Sequence, residues 1–510
     1  MRVSIDQWRK RLKKRRIVGW GICAVLVILG GLRILWNIQY EPLMDNDETW
    51  HIGNAVEMFK SGNWLINTWK YQPDYYNSKP PLSLWMILIS FHSFGVSLWS
   101  ARIPSMLAGV VILIGLMIFL GREYGRAASV FWGIAFLLLD ACFDFHMFRT
   151  ANMDSLFNLF IAASVIGLYK SERNFHWILL YGAGLGLTFL TKGPLVILPV
   201  LIGVMEFPKL LPKWKGRDVG AGALAPVLCW AVLRYRYDGF AFFREMLVGE
   251  VGRKTSSMFT GLFLGEALTE KVFLFFYLML FCRFVQLSIC EKSLQAGIRR
   301  LVGEIGDTSV FWFWLFVPIA VHTAAGTPYD WYGYPSHIAA AALAGIFGGR
   351  VFENVWKQRE ASGTIQRAVV QVGTIALLIV CSCYTIHKVR SYPSSMDETG
   401  GNPDTGFRND VMAVSEEYGN AYQGKTAFIQ SHLMSDPTQE TTSWRDEQRV
   451  YSEIYCDWNC VDEGGIQAFL ETPDCVLVLN KDLWDQYAGI LSGYVILTDN
   501  QTLIFSKEHY

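Results

Sequence analysis

The sequence predicts an all-α polytopic membrane protein of about eleven transmembrane helices, followed by a small extracytoplasmic α/β domain. Three observations carry this prediction: charge is scarce, the scarcity is concentrated in helix-length runs, and basic residues recur between alternate runs. Hydrophobic residues make up 52% of the chain and charged residues only 18%, against about a quarter in a soluble protein. Residues 17–32, 107–120 and 127–139 carry no charge. With their flanks such runs approach the roughly 20 residues that cross a bilayer as a helix. They are continuous rather than alternating, so they read as helices and not as barrel strands.

The N-terminus, MRVSIDQWRKRLKKRR, is strongly basic and enters an apolar run at Ile17. A secretory signal begins in the same way. Here the run is long, contains Arg33 and is followed by no small-residue cleavage pattern, so a retained anchor with a cytoplasmic N-terminus is expected. Further spans are expected near residues 100–120, 127–145, 154–170, 175–191, 194–208, 218–235, 271–290, 308–325, 331–349 and 367–387. Basic connectors begin at Gly121, Lys170, Lys209, Glu291 and Arg350, after alternate spans. The positive-inside rule puts all of these in the cytoplasm. The segments 39–99, 146–153, around 192, 236–270 and 326–330 then lie outside, together with the tail from about residue 388. Residues 81–96 are apolar but short, and counting them as a span would invert every later connector. A re-entrant or interfacial helix fits better, with twelve or thirteen spans as the alternatives.

The expected division is a basic N-terminus (1–16), a transmembrane domain (17–390) with a first outer loop (39–99), and a C-terminal domain (391–510). In the last, short apolar segments at 426–429, 475–479, 494–498 and 502–505 alternate with helical stretches at 466–470 and 481–487. It carries no catalytic motif. Of ten cysteines, seven lie in apolar segments. Cys456 and Cys460 in the tail either pair in an oxidising exterior or remain free thiols. No CxxC pair or His/Cys cluster suggests a metal module, and with net charge zero no nucleic-acid partner is expected.

Polar residues beside apolar spans need a reason. The first outer loop opens with Asp45, Asp47, Glu48 and His51. The plain reading is an acidic helix-capping turn; the functional one makes a carboxylate a general base or a cation ligand. Further on come aromatics, Tyr76 among them, and Lys79-Pro80-Pro81. The aromatics suit an interfacial belt or a sugar ring equally, and the lysine either snorkels or meets a lipid phosphate. The second loop offers Arg149 and Asp154, which would otherwise be a structural ion pair. Lys192 stands at a turn between two spans. The fourth loop adds Glu250 and Arg253, and the fifth Asp330 and Tyr332. All these clusters face one side under the expected topology. Carboxylates and cations gathered there suit transfer of a group from an anionic, lipid-held donor.

At these motifs the sequence resembles the polytopic GT-C glycosyltransferases, in particular the lipid A aminoarabinose transferases and dolichyl-phosphate-mannose protein mannosyltransferases. Asp47-Glu48 with HIGNAVEMFKSGNWLI looks like that family's Asp-Glu motif and its continuation. Tyr76-Asn-Ser-Lys-Pro-Pro-Leu82 is similar to YFEKPPL, and Leu98-Trp-Ser-Ala-Arg-Ile-Pro-Ser105 to EWAARLPS. Asn152-Met-Asp154 matches the second-loop aspartate and Leu190-Thr-Lys-Gly-Pro194 matches LTKGP. The resemblance implies inverting transfer of a sugar from a polyprenyl-phosphate donor to a lipid, cell-surface glycan or protein acceptor at the outer face of a cell membrane. It implies Asp47, Glu48 and Asp154 as catalytic carboxylates and Lys79, Lys192 and Arg149 as ligands of the donor phosphate. His51, Tyr76, Glu250, Arg253 and Tyr332 are the expected lining of the substrate site. The family's glutamate before Lys-Pro-Pro, which can bind a metal, is Ser78 here, which argues against a divalent cofactor. An oligosaccharide or polymer ligase on the same scaffold is the alternative enzyme. A transporter or flippase is the contrasting class, but it would place charges at the midplane on broken helices, often in repeated halves. Neither pattern is visible.

Overall fold

The structure is a computed structural model that describes residues 5–44, 46–210, 216–249, 252, 270–326, 329–357, 364–395, 403–433 and 435–509. In chain order the helices are α1 (Ile5–Leu35), α2 (Asn46–Ser61), α3 (Leu82–Phe94), α4 (Leu98–Glu123), α5 (Arg126–Leu137), α6 (Asp140–Asp144) and α7 (Asp154–Ser171). There follow α8 (Ile178–Lys192), α9 (Ile197–Leu210), α10 (Gly216–Asp238), α11 (Lys271–Cys290), α12 (Leu294–Gly306), α13 (Ser309–Ala325), α14 (Tyr334–Lys357) and α15 (Thr364–Arg390). The tail adds α16 (Pro403–Tyr418), α17 (Asp446–Tyr455), α18 (Gly465–Glu471) and α19 (Trp484–Leu491). The chain divides into two compact units. One holds Met1–Trp36, Asp74–Ser83 and Pro104–Ser391; the other holds Asn37–Pro73, Leu84–Ile103 and Tyr392–Tyr510. The first outer loop, expected with the transmembrane domain, is thus largely in one unit with the C-terminal residues.

Every expected span coincides with a helix, but the helices differ in reach. Among the described residues, six stretches are long and apolar enough to cross a membrane: Gly19–Tyr40, Leu98–Glu123, Phe175–Lys209, Lys271–Cys290, Asp330–Val355 and Ala368–Arg390. The pair α12 and α13, bent by 77°, would make a seventh if taken as one span. The remaining expected spans fall short in length or apolarity; α5, for example, has 12 residues, about 18 Å of helix. The stretch Phe175–Lys209 is not one rod. Tyr181 Oη on α8 donates to the Pro199 carbonyl on α9 at 3.2 Å, whereas a straight helix would hold those residues about 27 Å apart. The chain therefore doubles back at Gly193, as the sequence suggested. Likewise α3 has only 13 residues, too few to span.

Packing in the first unit relies on small residues. Ala339–Ala342 and Ala344 of α14 are fully buried. A Cβ added at Gly349 would come within 2.6 Å of the Ala128 backbone nitrogen on α5. Lipid offers no hydrophobic drive for helix association, so close backbone approach through Gly and Ala supplies the dispersion contact instead.

The basic connectors meet at one end of these helices. Glu123 pairs with Lys170 at 3.4 Å and with Arg173 at 2.6 Å. Lys209 reaches Glu172 at 3.5 Å, and Glu304 pairs with Arg350 at 3.2 Å. Gly125 lies against the Glu353 carboxylate. At the other end of α1, Arg33 is fully buried. It pairs with Asp140 and donates to the Leu137 carbonyl at 2.5 Å. Asp140 is also bonded by Lys271 and Tyr384, while Lys388 holds Asp144 at 2.6 Å. The charge that set α1 apart from a cleaved signal thus ties α1 to α6, which is bonded in turn by α11 and α15.

In the second unit the tail forms one sheet of β3 (Thr426–Leu433), β4 (Asp436–Thr441), β5 (Asn459–Cys460), β6 (Cys475–Asn480), β7 (Tyr494–Asp499) and β8 (Thr502–His509). Its order is β4-β3-β6-β8-β7, with β5 beside β3. Strands β3 and β6 run parallel with Ala427 opposite Val476, and β8 is antiparallel to β6. Phe428, Phe469, Leu477, Leu479 and Phe505 form its core. The four expected strands are all present. A short hairpin, β1 (Thr68–Trp69) and β2 (Gln72–Pro73), turns at Lys70 and Tyr71, both at positive φ. Glu57 on α2 accepts both turn N–H groups, at 2.7 and 2.8 Å, which holds a conformation that usually needs glycine. Cys456 and Cys460 are buried free thiols.

Candidate active site

In the first unit the site is built around Asp154, the first residue of α7. It is 2% exposed. Lys192 Nζ donates to its Oδ1 at 2.6 Å, and His146 Nδ1 shares a hydrogen bond with its Oδ2 at 3.0 Å. The position at a helix N-terminus also favours the carboxylate. Burial of such charges is tolerated only because they are paired and bonded. His146 itself sits at φ 60, a left-handed conformation that costs a non-glycine residue energy and recurs at functional sites. Its ring stacks on Trp331 at 4.3 Å, and that of His322 stacks on Tyr332 at 4.8 Å. Lys192 Nζ lies 5.5 Å from the ring centres of both Phe157 and Tyr332, within cation–π range.

Lys192 owes its place to the α8–α9 hairpin. Gly193 follows it at φ 53 and ψ −116, a region open to glycine alone. A Cβ there would lie 3.5 Å from Pro80 Cδ and 3.2 Å from Met246 Sδ. The Lys79-Pro80 turn therefore packs against the Lys192-Gly193 turn, and two lysine motifs remote in sequence become neighbours. Asp74 caps the approach to Lys79 by accepting the N–H groups of Tyr76 at 2.8 Å and Asn77 at 3.1 Å. Tyr76 is exposed and Ser78 is fully buried. Arg149, expected at a donor phosphate, is buried, and its Nη1 donates to the carbonyls of Arg33, Ile34 and Trp36. It caps the end of α1, where unsatisfied carbonyls attract a cation.

In the second unit Asp47 and Glu48 occupy the first turn of α2. Glu48 is fully buried and forms a two-point pair with Arg102, at 2.8 and 3.1 Å, and accepts the Met44 N–H at 2.9 Å. Arg102 also donates to the carbonyls of Ile38, Glu41 and Pro42. One guanidinium thus ties Glu48 to carbonyls of the segment that precedes α2, and Asp47 next to Glu48 is half-buried. His51 is 2% exposed. Trp50 stacks on Trp69 at 4.4 Å and donates to Asp446 at 3.2 Å. Asp45, Glu250 and Arg253 lie outside the described residues. Among the described residues no group of three or more His, Cys, Asp or Glu side chains is placed to hold a metal ion.

The structure thus groups Asp154, Lys192 and Tyr332, with Lys79 on the turn beside them. Sequence reading missed His146, His322, Trp331 and the role of Arg102. His146 lies in the same outer loop as Arg149 and next to Asp154, and Arg102 in the motif before Pro104, so proximity to motif residues was the available signal.

Residues 78–232 match the family described as dolichyl-phosphate-mannose-protein mannosyltransferase. An undecaprenyl phosphate-alpha-4-amino-4-deoxy-L-arabinose arabinosyl transferase of Pseudomonas aeruginosa is 30% identical over 218 residues, 40% of this chain and 37% of that protein. One from Edwardsiella ictaluri is 23% identical over 73% of this chain and 67% of its own length. The chain thus spans little more than a third of the first curated relatives that it matches. The fold likeness runs further. The apo structure of ArnT from Cupriavidus metallidurans superposes with a TM-score of 0.63 at 14% identity, covering 96% of this chain and 98% of that one. The same protein bound to undecaprenyl phosphate gives 0.59.

Proposed function

We propose that this chain, which resembles the GT-C glycosyltransferases in fold and motif, is a membrane enzyme moving a sugar from a polyprenyl-phosphate carrier to a hydroxyl-bearing acceptor, with inversion. The acceptor class is a lipid, cell-surface glycan or protein at the outer face, with the N-terminus cytoplasmic and the C-terminal domain extracytoplasmic. The observation that carries this reading is the meeting of the Lys79-Pro80 and Lys192-Gly193 turns, with Lys192 fixed by buried Asp154.

In such a transfer the bond from the anomeric carbon to the phosphate oxygen breaks as the acceptor oxygen attacks from the opposite face. The carrier leaves with one more negative charge, and the acceptor proton goes to a base. The bond to Asp154 orients the Lys192 ammonium. Held this way it presents a point charge where phosphate charge grows, an interaction worth more in the transition state than in the ground state. His146 and Lys192 hold Asp154 between them, so its role is to orient that cation. Asp47 is the base in this scheme, and the Glu48–Arg102 pair fixes the turn that carries it. The arabinosyl transferases that the chain resembles use an undecaprenyl phosphate sugar by name, which supports the carrier class.

The test is transfer by purified protein in nanodiscs from radiolabelled undecaprenyl-phosphate sugars to extracted envelope acceptors, read by thin-layer chromatography. Label should leave the carrier only with active protein and only from lipid-linked donors. Transfer from nucleotide sugars alone would reject the carrier assignment.

A further inference from the structure

The tail domain contains a cavity of about 400 Å³ at the carboxyl ends of its two parallel strands. Strand β3 contributes Ser431 and His432, β6 contributes Asn480, the start of α17 contributes Arg445 and Gln448, and α16 contributes Phe407. In open α/β sheets, ligands bind outside the carboxyl ends of parallel strands, and the volume falls within the roughly 300–1,000 Å³ of small-molecule sites.

Two residues of this lining each carry a buried polar atom without a partner. Gln448 is only 6% exposed, yet its Oε1 accepts no hydrogen bond, and His432 Nδ1 is buried and unbonded. Buried polar groups are normally satisfied, so a pair of exceptions on one cavity asks for a missing partner. Asn480 is already oriented, because its Oδ1 accepts the Asp482 N–H at 3.1 Å. Asp446, in the same helical turn as Gln448, is engaged by Trp50 Nε1.

The lining thus combines neutral donors and acceptors and one cation with an aromatic ring and the aliphatic side chains of Ile429, Leu433 and Val478. Amides and hydroxyls match ring hydroxyl groups, and a guanidinium matches a carboxylate or phosphate. From this chemistry we propose that the cavity binds a hydroxyl-rich sugar ring bearing one acidic substituent. The inference stands on the cavity alone and does not require the transfer reaction.

Saturation-transfer NMR on the full chain in nanodiscs, without donor, tests it with glucuronate, glucose 6-phosphate and glucose as probes. At least one acidic sugar should bind about tenfold tighter than glucose, as expected for one charge-assisted contact; which acid wins identifies the substituent. Arg445→Gln should erase that preference. Ser431→Phe, which fills the cavity, should abolish binding of all three while the melting temperature is kept. No binding of any probe to the unmodified protein, or binding unchanged in folded Ser431→Phe protein, would overturn the proposal. If Ser431→Phe does not fold, Arg445→Gln decides: a preference that survives rejects the site, and one that vanishes supports it.

Discussion

At Glu453 burial outweighs a neighbouring cation. Its side chain is 3% exposed and Lys60 Nζ is 3.6 Å away. Desolvation, reinforced by the Glu57 charge and opposed by Lys60, still pushes its carboxyl up to about 7. The folded protein therefore holds this proton more tightly than an unfolded glutamate near 4.5. The contribution is fully present below about 4.5 and is lost as pH rises through 7. Melting temperature should fall between about pH 5.5 and pH 8 more steeply in the unmodified chain than in Glu453→Gln; equal slopes would remove Glu453 as the cause. This residue could not have been singled out in the sequence, because its surroundings come from α2 and α17, far apart along the chain. Lys192 could be, since a lysine beside Gly-Pro between two apolar runs is already anomalous. Arg102 lay in a motif whose purpose was unreadable until its bonds to Glu48 and to the carbonyls of Ile38, Glu41 and Pro42 were seen.

The α8–α9 hairpin is the element on which the site depends most. Gly193→Ala adds a Cβ against Met246 and Pro80 at a backbone conformation that only glycine tolerates. The strain is on the order of 1–3 kcal/mol, and relief would shift Lys192. Transfer rate should drop at least tenfold, with a smaller loss of melting temperature; full activity would mean that the turn does not position the lysine. The apolar runs announced a helix at every expected span, while α12 lies where a basic connector was expected; short apolar segments announced β3, β6, β7 and β8. Strand β4, DPTQET, was not legible, because it has no apolar face and is specified by pairing with β3. Span counting suffered from a related limit: composition reveals an apolar helix but not whether it is long enough to cross or is half of a hairpin.

Across the whole molecule, the basic connectors were legible as a periodic charge pattern, and the structure brings them to one end of the helices through Glu123, Glu172, Glu304 and Glu353. If that end is cytoplasmic, a cysteine introduced at Arg122 should be protected from an impermeant thiol reagent in intact cells. One at Asp485 should be labelled. The reverse pattern would invert the topology and move the proposed site to the inner face. The central claim is that the neighbouring lysine turns receive the donor phosphate while Asp47 serves the acceptor, and binding measured apart from turnover tests it most directly. Undecaprenyl-phosphate affinity and single-turnover transfer are to be measured in nanodiscs for Lys79→Met, Lys192→Met and Asp47→Asn. The account predicts that each lysine variant weakens donor binding and lowers transfer by about 10–1000-fold, and that Asp47→Asn binds the carrier normally but transfers nothing. Lysine variants that bind and turn over like the unmodified protein would contradict it.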